Sequence, residues 1–534
     1  MIAATLTKRY GGRAVLDAAT LEVATGTVHA LVGENGAGKS TLVKILAGIV
    51  RADGGSLELG GKPIALARWD RRAARAAGIG IVQQHGASAG TLSVVENAVL
   101  GVEGGPLLEL APTAKAIAEL GDKIGLPVDP WARADRLSLG AAQRAEIIAE
   151  LHHGAKLLIL DEPTAVLAPV EVDGLLATLR RLAQSGTTIV LVTHKLDEVR
   201  AVADAVTVLR AGKTVGGFAK PLEVPAIARA MVGAELPPPA TLAEPAAGAP
   251  VVLALEGVGV ANAMGSLRMG RRLARLRETF GGGPTPEKPA ARATVPLEGI
   301  TLSVRAGEIV GVAGVDGNGQ RELAQAIAGL VPHTGRVRIG EVDVSRDSAG
   351  QRLAAGIAHI PEDRQHGGLV LEATIAENLA LGRADVTGRF RVDRARVRTF
   401  AETQIRELDI RPADPDAPAR ALSGGNQQKI VIARELSRPR VRVVVAAQPT
   451  RGVDLGAVAR IHDRLRAAAA AGAGVLVISA DLDELLVLCH RVVVMLRGRI
   501  VGERAGAALQ ADDVRTGLGG LMTGAQTGAQ TGAA

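Results

Sequence analysis

Short apolar runs, separated by stretches of helical periodicity, recur along this chain. Val28–Val32, Ile79–Val82, Leu157–Leu160 and Thr188–Val192 each read as a buried strand. After the first of them, Leu42, Ile45, Leu46 and Ile49 fall on one face of a predicted helix. From about residue 92 to 150 the pattern is helical, and Leu137–Arg144 opens the last helix of that stretch. The series then restarts with Val251–Leu255, Ile309–Ala313, Ile357–Ile360 and Val443–Ala446. Strands alternating with helices predict an α/β fold. The 534 residues call for more than one domain. A Pro/Ala-rich stretch ending at Pro250 reads as a linker. The expected organisation is a first domain over 1–234, a linker over 235–250 and a second domain over 251–522. The repeated Thr-Gly-Ala-Gln of 523–534 reads as a disordered tail.

Composition narrows the chemistry. Aromatic residues are 1% of the chain, so its cores must be built from Val, Leu, Ile and Ala. The formal charge of +7 is modest for this length, and nucleic-acid binding would call for a focused basic stripe. The single cysteine, Cys489, excludes an intrachain disulfide and a cysteine-rich metal site; following Leu485–Leu488, it reads as buried. No apolar run reaches the roughly 18 residues of a membrane span. Met1-Ile2-Ala3-Ala4 lacks the layout of a signal peptide, so a cytoplasmic protein is expected.

Gly33-Glu34-Asn35-Gly36-Ala37-Gly38-Lys39-Ser40-Thr41 matches G-x-x-x-x-G-K-[ST], with an apolar strand before it and a helical pattern after it. Glycines let the backbone wrap phosphates, and the helix-start amides attract anions. Lys39 can reach terminal phosphates and the Ser40 hydroxyl can ligate Mg²⁺. Tyr10, 23 residues before Gly33, can stack on an adenine or be a surface tyrosine at a strand end. Gln84, just past the second strand, can reach a metal or a water beside the phosphates. Asp161-Glu162 follows the third strand, where an Asp holds Mg²⁺ and a Glu polarises the attacking water. His194, past the fourth strand, can contact a γ-phosphate. His152-His153 fits no metal spacing and reads as a helix end.

These elements, in this order, resemble the nucleotide-binding subunits of ABC transporters. The resemblance places Tyr10 at the adenine-stacking position, Gly33–Thr41 at the Walker A loop, Gln84 at the Q-loop, Ser138–Gln143 at the signature, Leu157–Glu162 at Walker B and His194 at the switch histidine. It implies two tandem P-loop (RecA-like) domains, each with an α-helical subdomain, roughly 85–150 and 365–435, and an antiparallel β subdomain. The second half repeats the series with losses. Gln320 stands 281 positions after Lys39 and Arg321 follows it; Glu362 replaces Gln84; Ala447 and Gln448 stand 286 positions after Asp161 and Glu162; Ala480 stands 286 after His194. Without these groups, hydrolysis on the second half's own residues is not expected.

In this family each ATP is held by the Walker residues of one domain and the signature of the other. The resemblance thus assigns Ser423, Gly424, Gly425 and Gln427, with Asp454 in the D-loop, to the nucleotide on Lys39, Ser40, Gln84, Asp161, Glu162 and His194. The second nucleotide would meet Gln320, Arg321, Glu362, Ala447, Gln448 and Ala480, with the altered signature Leu137–Gly140 and Ala168 opposite. Nearly every departure falls on that second site. Tandem halves of this kind resemble the fused ATPases of nucleoside and simple-sugar importers. That implies ATP and Mg²⁺, two membrane permease subunits, an extracytoplasmic solute-binding protein and a peripheral place on the cytoplasmic face of the membrane, with no nucleic acid. Leu-Ser-Leu-Gly at 137–140 and Gly-Val-Asp-Gly-Asn-Gly-Gln at 314–320 favour the nucleoside branch; a pentose or hexose importer is the alternative. A soluble tandem ATPase acting on ribosomes or nucleic acid is the less favoured alternative: those proteins resemble two intact halves joined by a charged helical linker, whereas here the second half is altered and the linker Pro/Ala-rich. Residues 262–294 depart from the family pattern. Arg268, Arg271, Arg272, Arg275 and Arg277 with Leu267, Leu273, Leu276 and Phe280 suggest a basic amphipathic helix, read either as a contact to anionic lipid or a partner, or as a solvated insertion.

Overall fold

A computed structural model describes the chain except residues 1, 84–87, 102–109, 138, 165–166, 168, 234–241, 243, 262–294, 316, 389–391, 454, 510, 512 and 525–534. The chain forms two compact units that divide chiefly between Pro237 and Pro238.

Unit 1 contains β1 (Ile2–Tyr10), β2 (Arg13–Val23), β3 (Val28–Val32), β4 (Gly54–Leu59), β5 (Lys62–Pro63), β6 (Ile79–Val82), β7 (Leu157–Asp161), β8 (Thr188–Thr193), β9 (Ala205–Arg210) and β10 (Lys213–Ala219). One sheet runs β10-β9-β3-β8-β7-β6, and the other β2-β1-β4-β5. In the first, β9, β3, β8, β7 and β6 pair in parallel and β10 closes the edge antiparallel. The second is antiparallel throughout. The parallel strands are buried on both faces, which is why they appear in sequence as unbroken apolar runs rather than alternations. Helices Val94–Val99, Leu110–Ile124 and Leu139–His152 supply the helical subdomain. Its first helix starts with a capping box between Ser93 and Glu96.

Unit 2 repeats the plan with β11 (Val251–Val260), β12 (Leu297–Arg305), β13 (Ile309–Ala313), β14 (Thr334–Ile339), β15 (Val342–Asp343), β16 (Ile357–Ile360), β17 (Val443–Ala447), β18 (Gly474–Ser479), β19 (Arg491–Leu496) and β20 (Arg499–Ala505). Its sheets run β16-β17-β18-β13-β19-β20 and β12-β11-β14-β15. Thr374 and Glu377 rebuild the capping box 281 positions on. Cys489 is buried in the largest core cluster of this unit, and burial pushes its thiol well above the usual range.

The sequence misplaces one helical boundary. The helix after the glycine loop spans Lys39–Leu46, and Ile49, expected on its buried face, is exposed. Gly48 ends the helix in the left-handed region (φ +70°), against the Asp70 carbonyl that a Cβ there would strike. The final carbonyls of this helix are met by the Trp69 indole, donating to Ile45 (3.1 Å) and Leu46 (3.2 Å). In unit 2 the equivalent carbonyls, Ala326 and Ile327, accept from the buried Arg352 guanidinium at 2.6 and 2.9 Å. Arg352 also donates to the Ser345 and Asp347 carbonyls. Two unrelated side chains therefore solve one problem in the two copies.

Arg352→Ala is expected to destabilise unit 2 by roughly 3 kcal/mol, because four carbonyls lose a charged donor inside the fold. Trp69→Phe, which loses a neutral donor and part of a buried ring, is expected to cost unit 1 about 2 kcal/mol. Denaturant unfolding of each variant measures both.

Candidate functional site

Parallel pairing brings the C-terminal ends of β3, β8 and β7 side by side in unit 1. Binding sites of open α/β sheets form at that edge, because loops there are free to turn toward a ligand. The loop Gly33–Gly38 leaves β3 and passes close to neighbouring backbone: a Cβ on Gly33 would strike the Leu209 carbonyl. Gly38, at φ +104°, turns the chain into the helix and is packed against Leu16, leaving no room for a side chain. Lys39 begins that helix and is 5% exposed. Its ammonium donates back to the Gly33 and Glu34 carbonyls at 2.8 and 3.1 Å. Burial lowers the Lys39 pKa, while the charges of Glu162, Asp161 and Glu34 oppose the shift. Ala37 is buried, whereas Glu34, Asn35, Ser40 and Thr41 are half-buried and Gly36 is exposed at the tip.

Asp161 is the last residue of β7 and accepts from the Ser40 hydroxyl at 3.2 Å. Burial raises its pKa above the ordinary carboxylate range, with the Glu162 charge adding to the rise. Glu162 turns out of the strand at φ +50°, a conformation uncommon for a residue with a Cβ. Its amide donates to the Val192 carbonyl at 2.9 Å, and the His194 ring contacts its carboxylate at 3.2 Å. Burial alone would raise the Glu162 pKa. The hydrogen bond and charge of His194, with Lys39 and Lys195, outweigh it and hold the carboxyl below its usual range. Lys39, Ser40, Asp161, Glu162 and His194 are thus gathered at one sheet edge. An ammonium, two oxygen donors for a hard cation and an ionised carboxylate in one place suit phosphoryl transfer to water.

Tyr10 lies at the end of β1, half exposed, with the Lys8 ammonium 5.3 Å from its ring centroid. Gln84, Ser138, Ala168, Asp454, the basic stretch 262–294 and the tail from 525 lie outside the described residues. Beside Gln83, a cavity of about 230 Å³ is lined by Asn97, Glu146, Glu150 and His153 among others. Burial, helped by Arg75, pushes His153 down to about 4.

Unit 2 keeps the frame and changes the groups. Gln448 repeats the left-handed turn at φ +49° and donates its amide to the Ile478 carbonyl at 2.7 Å. Ala447 is buried at the end of β17, and Ala480 follows β18 without a polar side chain. Gln320 is buried and Arg321 exposed at the start of helix Gln320–Ile327. Glu362 accepts from Arg451 at 2.9 Å. Ser423 precedes helix Gly424–Leu436 at the N-cap position, and its hydroxyl accepts from the Asn426 side-chain amide at 3.0 Å. Gly425 is buried in the first turn. Gln427 is held within the unit, donating to the Ala419 carbonyl at 3.0 Å and accepting from Gln365 at 3.2 Å.

Sequence reasoning passed over three residues that shape these sites. Buried Glu198 accepts from Thr164 and from Thr193 (2.7 Å), tying the turn after Glu162 to the strand end before His194. Glu484 does the same in unit 2, accepting from Thr450 at 2.7 Å and Ser479 at 2.6 Å. Their common spacing of 286 was the available signal. Arg364 donates to the Arg451 carbonyl at 3.0 Å and lies against Gly424, where a Cβ would collide with its guanidinium.

Fold and site together define a P-loop nucleotide-hydrolysing protein, with Lys39, Ser40, Asp161, Glu162 and His194 gathered in one unit and altered residues at the corresponding positions of the other. The sequence profile described as "ABC transporter" matches residues 16–165 and 297–449. The chain belongs to the ABC transporter family and is an ATPase of it. It is 39% identical to the nucleoside import ATP-binding protein NupA of Lactococcus lactis subsp. cremoris, over 93% of each chain. It is 35% identical to the guanosine import ATP-binding protein NupO of Bacillus subtilis, over 92% of each. It is 37% identical to the ribose import ATP-binding protein RbsA 1 of Rubrobacter xylanophilus, over 93% of each. Among solved structures, the archaeal ribosome recycling factor aABCE1, in complex with the ribosomal stalk protein aP1, aligns with a TM-score of 0.59. The identity is 19%, the alignment covers 94% of this chain and 90% of that one, and the likeness is one of fold alone. Among the described residues no helix is long and apolar enough to cross a membrane.

Glu198→Gln is expected to lower kcat for ATP about ten- to hundredfold with KM within about twofold, because it frees the turn that aims Glu162 without altering the phosphate loop. Steady-state ATPase kinetics separate the two constants; an equal rise in KM would place the defect in the loop.

Proposed function

We propose that this chain is the ATP-hydrolysing subunit of an importer, energising uptake of nucleosides through separate membrane permease subunits supplied by an extracytoplasmic solute-binding protein. The observation that carries the hydrolytic assignment is the gathering of Lys39, Ser40, Asp161, Glu162 and His194 at one edge of unit 1. Glu162, held ionised, removes a proton from water. The water oxygen bonds to the γ-phosphorus as the bond to the bridging oxygen breaks, leaving ADP and inorganic phosphate. His194 steadies the Glu162 carboxylate and contacts the γ-phosphate. Lys39 exchanges the Gly33 and Glu34 carbonyls for phosphate oxygens, while Gly33–Thr41 wraps the phosphates with backbone amides and Tyr10 stacks on adenine.

The Ser40 hydroxyl and the Asp161 carboxylate, 3.2 Å apart, are oxygen donors that fit Mg²⁺ and would hold it together with Gln84. The ion, when bound, neutralises phosphate charge.

Ser423, Gly424, Gly425 and Gln427, with Asp454, are assigned to the same nucleotide on sequence grounds: the departures fall on the other set. We assign the domains to 1–234 and 251–522, the linker to 235–250 and the tail to 523–534. The place of action is the cytoplasmic face of the membrane.

The nucleoside substrate is favoured by the relatives NupA and NupO, named for nucleoside and guanosine import. A monosaccharide importer is the second reading, favoured by the ribose import relative at 37% identity.

Glu162→Gln is expected to lower turnover at least about a hundredfold while ATP binding persists, and adding Gln448→Glu is expected not to restore it. ATPase assays beside equilibrium binding measure both; turnover near the wild-type rate in Glu162→Gln would contradict the assignment. In cells lacking this chain, uptake of labelled guanosine is expected to fall to background while ribose uptake stays; the reverse pattern would establish the monosaccharide reading.

A further inference from the structure

The described glycines of the second phosphate loop keep their backbone turns, while two of the metal-binding groups are lost. Gly317 and Gly319, at φ +96° and +100°, lead into helix Gln320–Ile327 as Gly36 and Gly38, at +84° and +104°, lead into Lys39–Leu46. The left-handed turn into the helix start, where free amides attract anions, is therefore retained. Two of the three Mg²⁺ donors have gone: Ala447 and Arg321 stand where Asp161 and Ser40 provide oxygen donors in unit 1, and Glu362, in place of Gln84, accepts from Arg451.

The exchange of Ser40 for Arg321 puts a guanidinium where unit 1 has a metal-binding hydroxyl, and the exchange of Asp161 for Ala447 removes the carboxylate that would otherwise stand against it.

Two observations point to a ligand. Gln320 is 6% exposed, and its amide nitrogen lies buried in the loop against Gly314 with no hydrogen-bond partner among the described residues. Lys39 in the same position uses its donors on the Gly33 and Glu34 carbonyls. A buried donor without an acceptor is costly, and a phosphate oxygen is an acceptor of the right charge. Arg321 is exposed beside the loop and forms no ion pair among the described residues. Glu322, the one acid of the first turn, is buried.

We infer that the loop of unit 2 is a nucleotide polyphosphate site that works without a metal ion, with the Arg321 guanidinium in the metal's place and the Gln320 amide donating to a phosphate oxygen. Arginine suits this part because its fixed fork of donors matches phosphate oxygens and its charge persists at any physiological pH. The site holds its nucleotide without cleaving it, since Gln448 cannot act as a base. The inference is separate from the assignment of hydrolysis to unit 1 and is read with that loop disabled.

The test uses the full chain carrying Lys39→Ala, titrated with labelled ATP in Mg²⁺ and again in excess EDTA. Saturable binding is expected in both, with Kd within about threefold. Adding Arg321→Ala is expected to weaken binding in EDTA at least tenfold, and Arg321→Lys, which keeps the charge without the fork, to fall between. Unlabelled pyrophosphate is expected to displace the ATP, and adenosine is not. No saturable binding in EDTA, an unchanged Kd in Arg321→Ala, or displacement by adenosine but not by pyrophosphate would each overturn the inference. Because Arg321 is exposed, thermal unfolding of the variants is expected to match that of the parent.

Discussion

A buried ammonium at the end of a parallel sheet governs the chemistry of this molecule. Lys39 is almost fully removed from water, and that alone disfavours its charge. Asp161 and Glu162 stand close enough to oppose the effect, and Lys39 in turn helps keep Glu162 ionised beneath His194. Each charge is tolerable because the others are present, so removing one would strand the rest. Unit 2 shows the other self-consistent solution, in which lysine, both carboxylates and the histidine have all been exchanged. The segregation of losses follows from electrostatics as much as from function: a partly dismantled set would leave an unpaired charge inside the fold.

The frame beneath these groups is indifferent to which set it carries. Both units turn out of the strand at a left-handed residue, Glu162 or Gln448, with nearly equal φ. Both anchor the following turn through a buried glutamate that receives two hydroxyls. Both close the C-terminal end of the loop helix, one with tryptophan and one with arginine. Geometry has outlasted chemistry because parallel pairing and carbonyl satisfaction are needed for folding, whereas a general base is needed solely for turnover. That separation lets one chain present a hydrolytic loop and a loop fitted for binding.

Much of this was legible in the sequence because parallel strands buried on both faces leave unbroken apolar runs. Val28–Val32, Ile79–Val82, Ile309–Ala313 and Ile357–Ile360 matched the observed strands end for end, and β7 and β8 ran one residue further. The glycine loop announced itself by composition. Ile49 misled because helical periodicity carries no mark of where a helix stops; the stop comes from Gly48 meeting the Asp70 carbonyl, a contact between segments. Glu198 escaped notice because a glutamate on a helix reads as a solvated residue until two hydroxyls, one from a turn and one from a strand end, are seen to converge on it. Arg364 escaped for the same reason: its partners, Gly424 and the Arg451 carbonyl, are distant in sequence.

The account holds that the chain has two phosphate loops and that hydrolysis belongs to the one in unit 1. Trapping with orthovanadate, Mg²⁺ and a photoreactive azido-ATP, followed by washing and peptide mapping, tests that claim most directly, since vanadate retains nucleotide where cleavage has occurred. The account predicts trapped label on unit 1 peptides, at no more than one per chain, and none trapped on unit 2. Vanadate-dependent label on unit 2, or shared equally between the two, would contradict it.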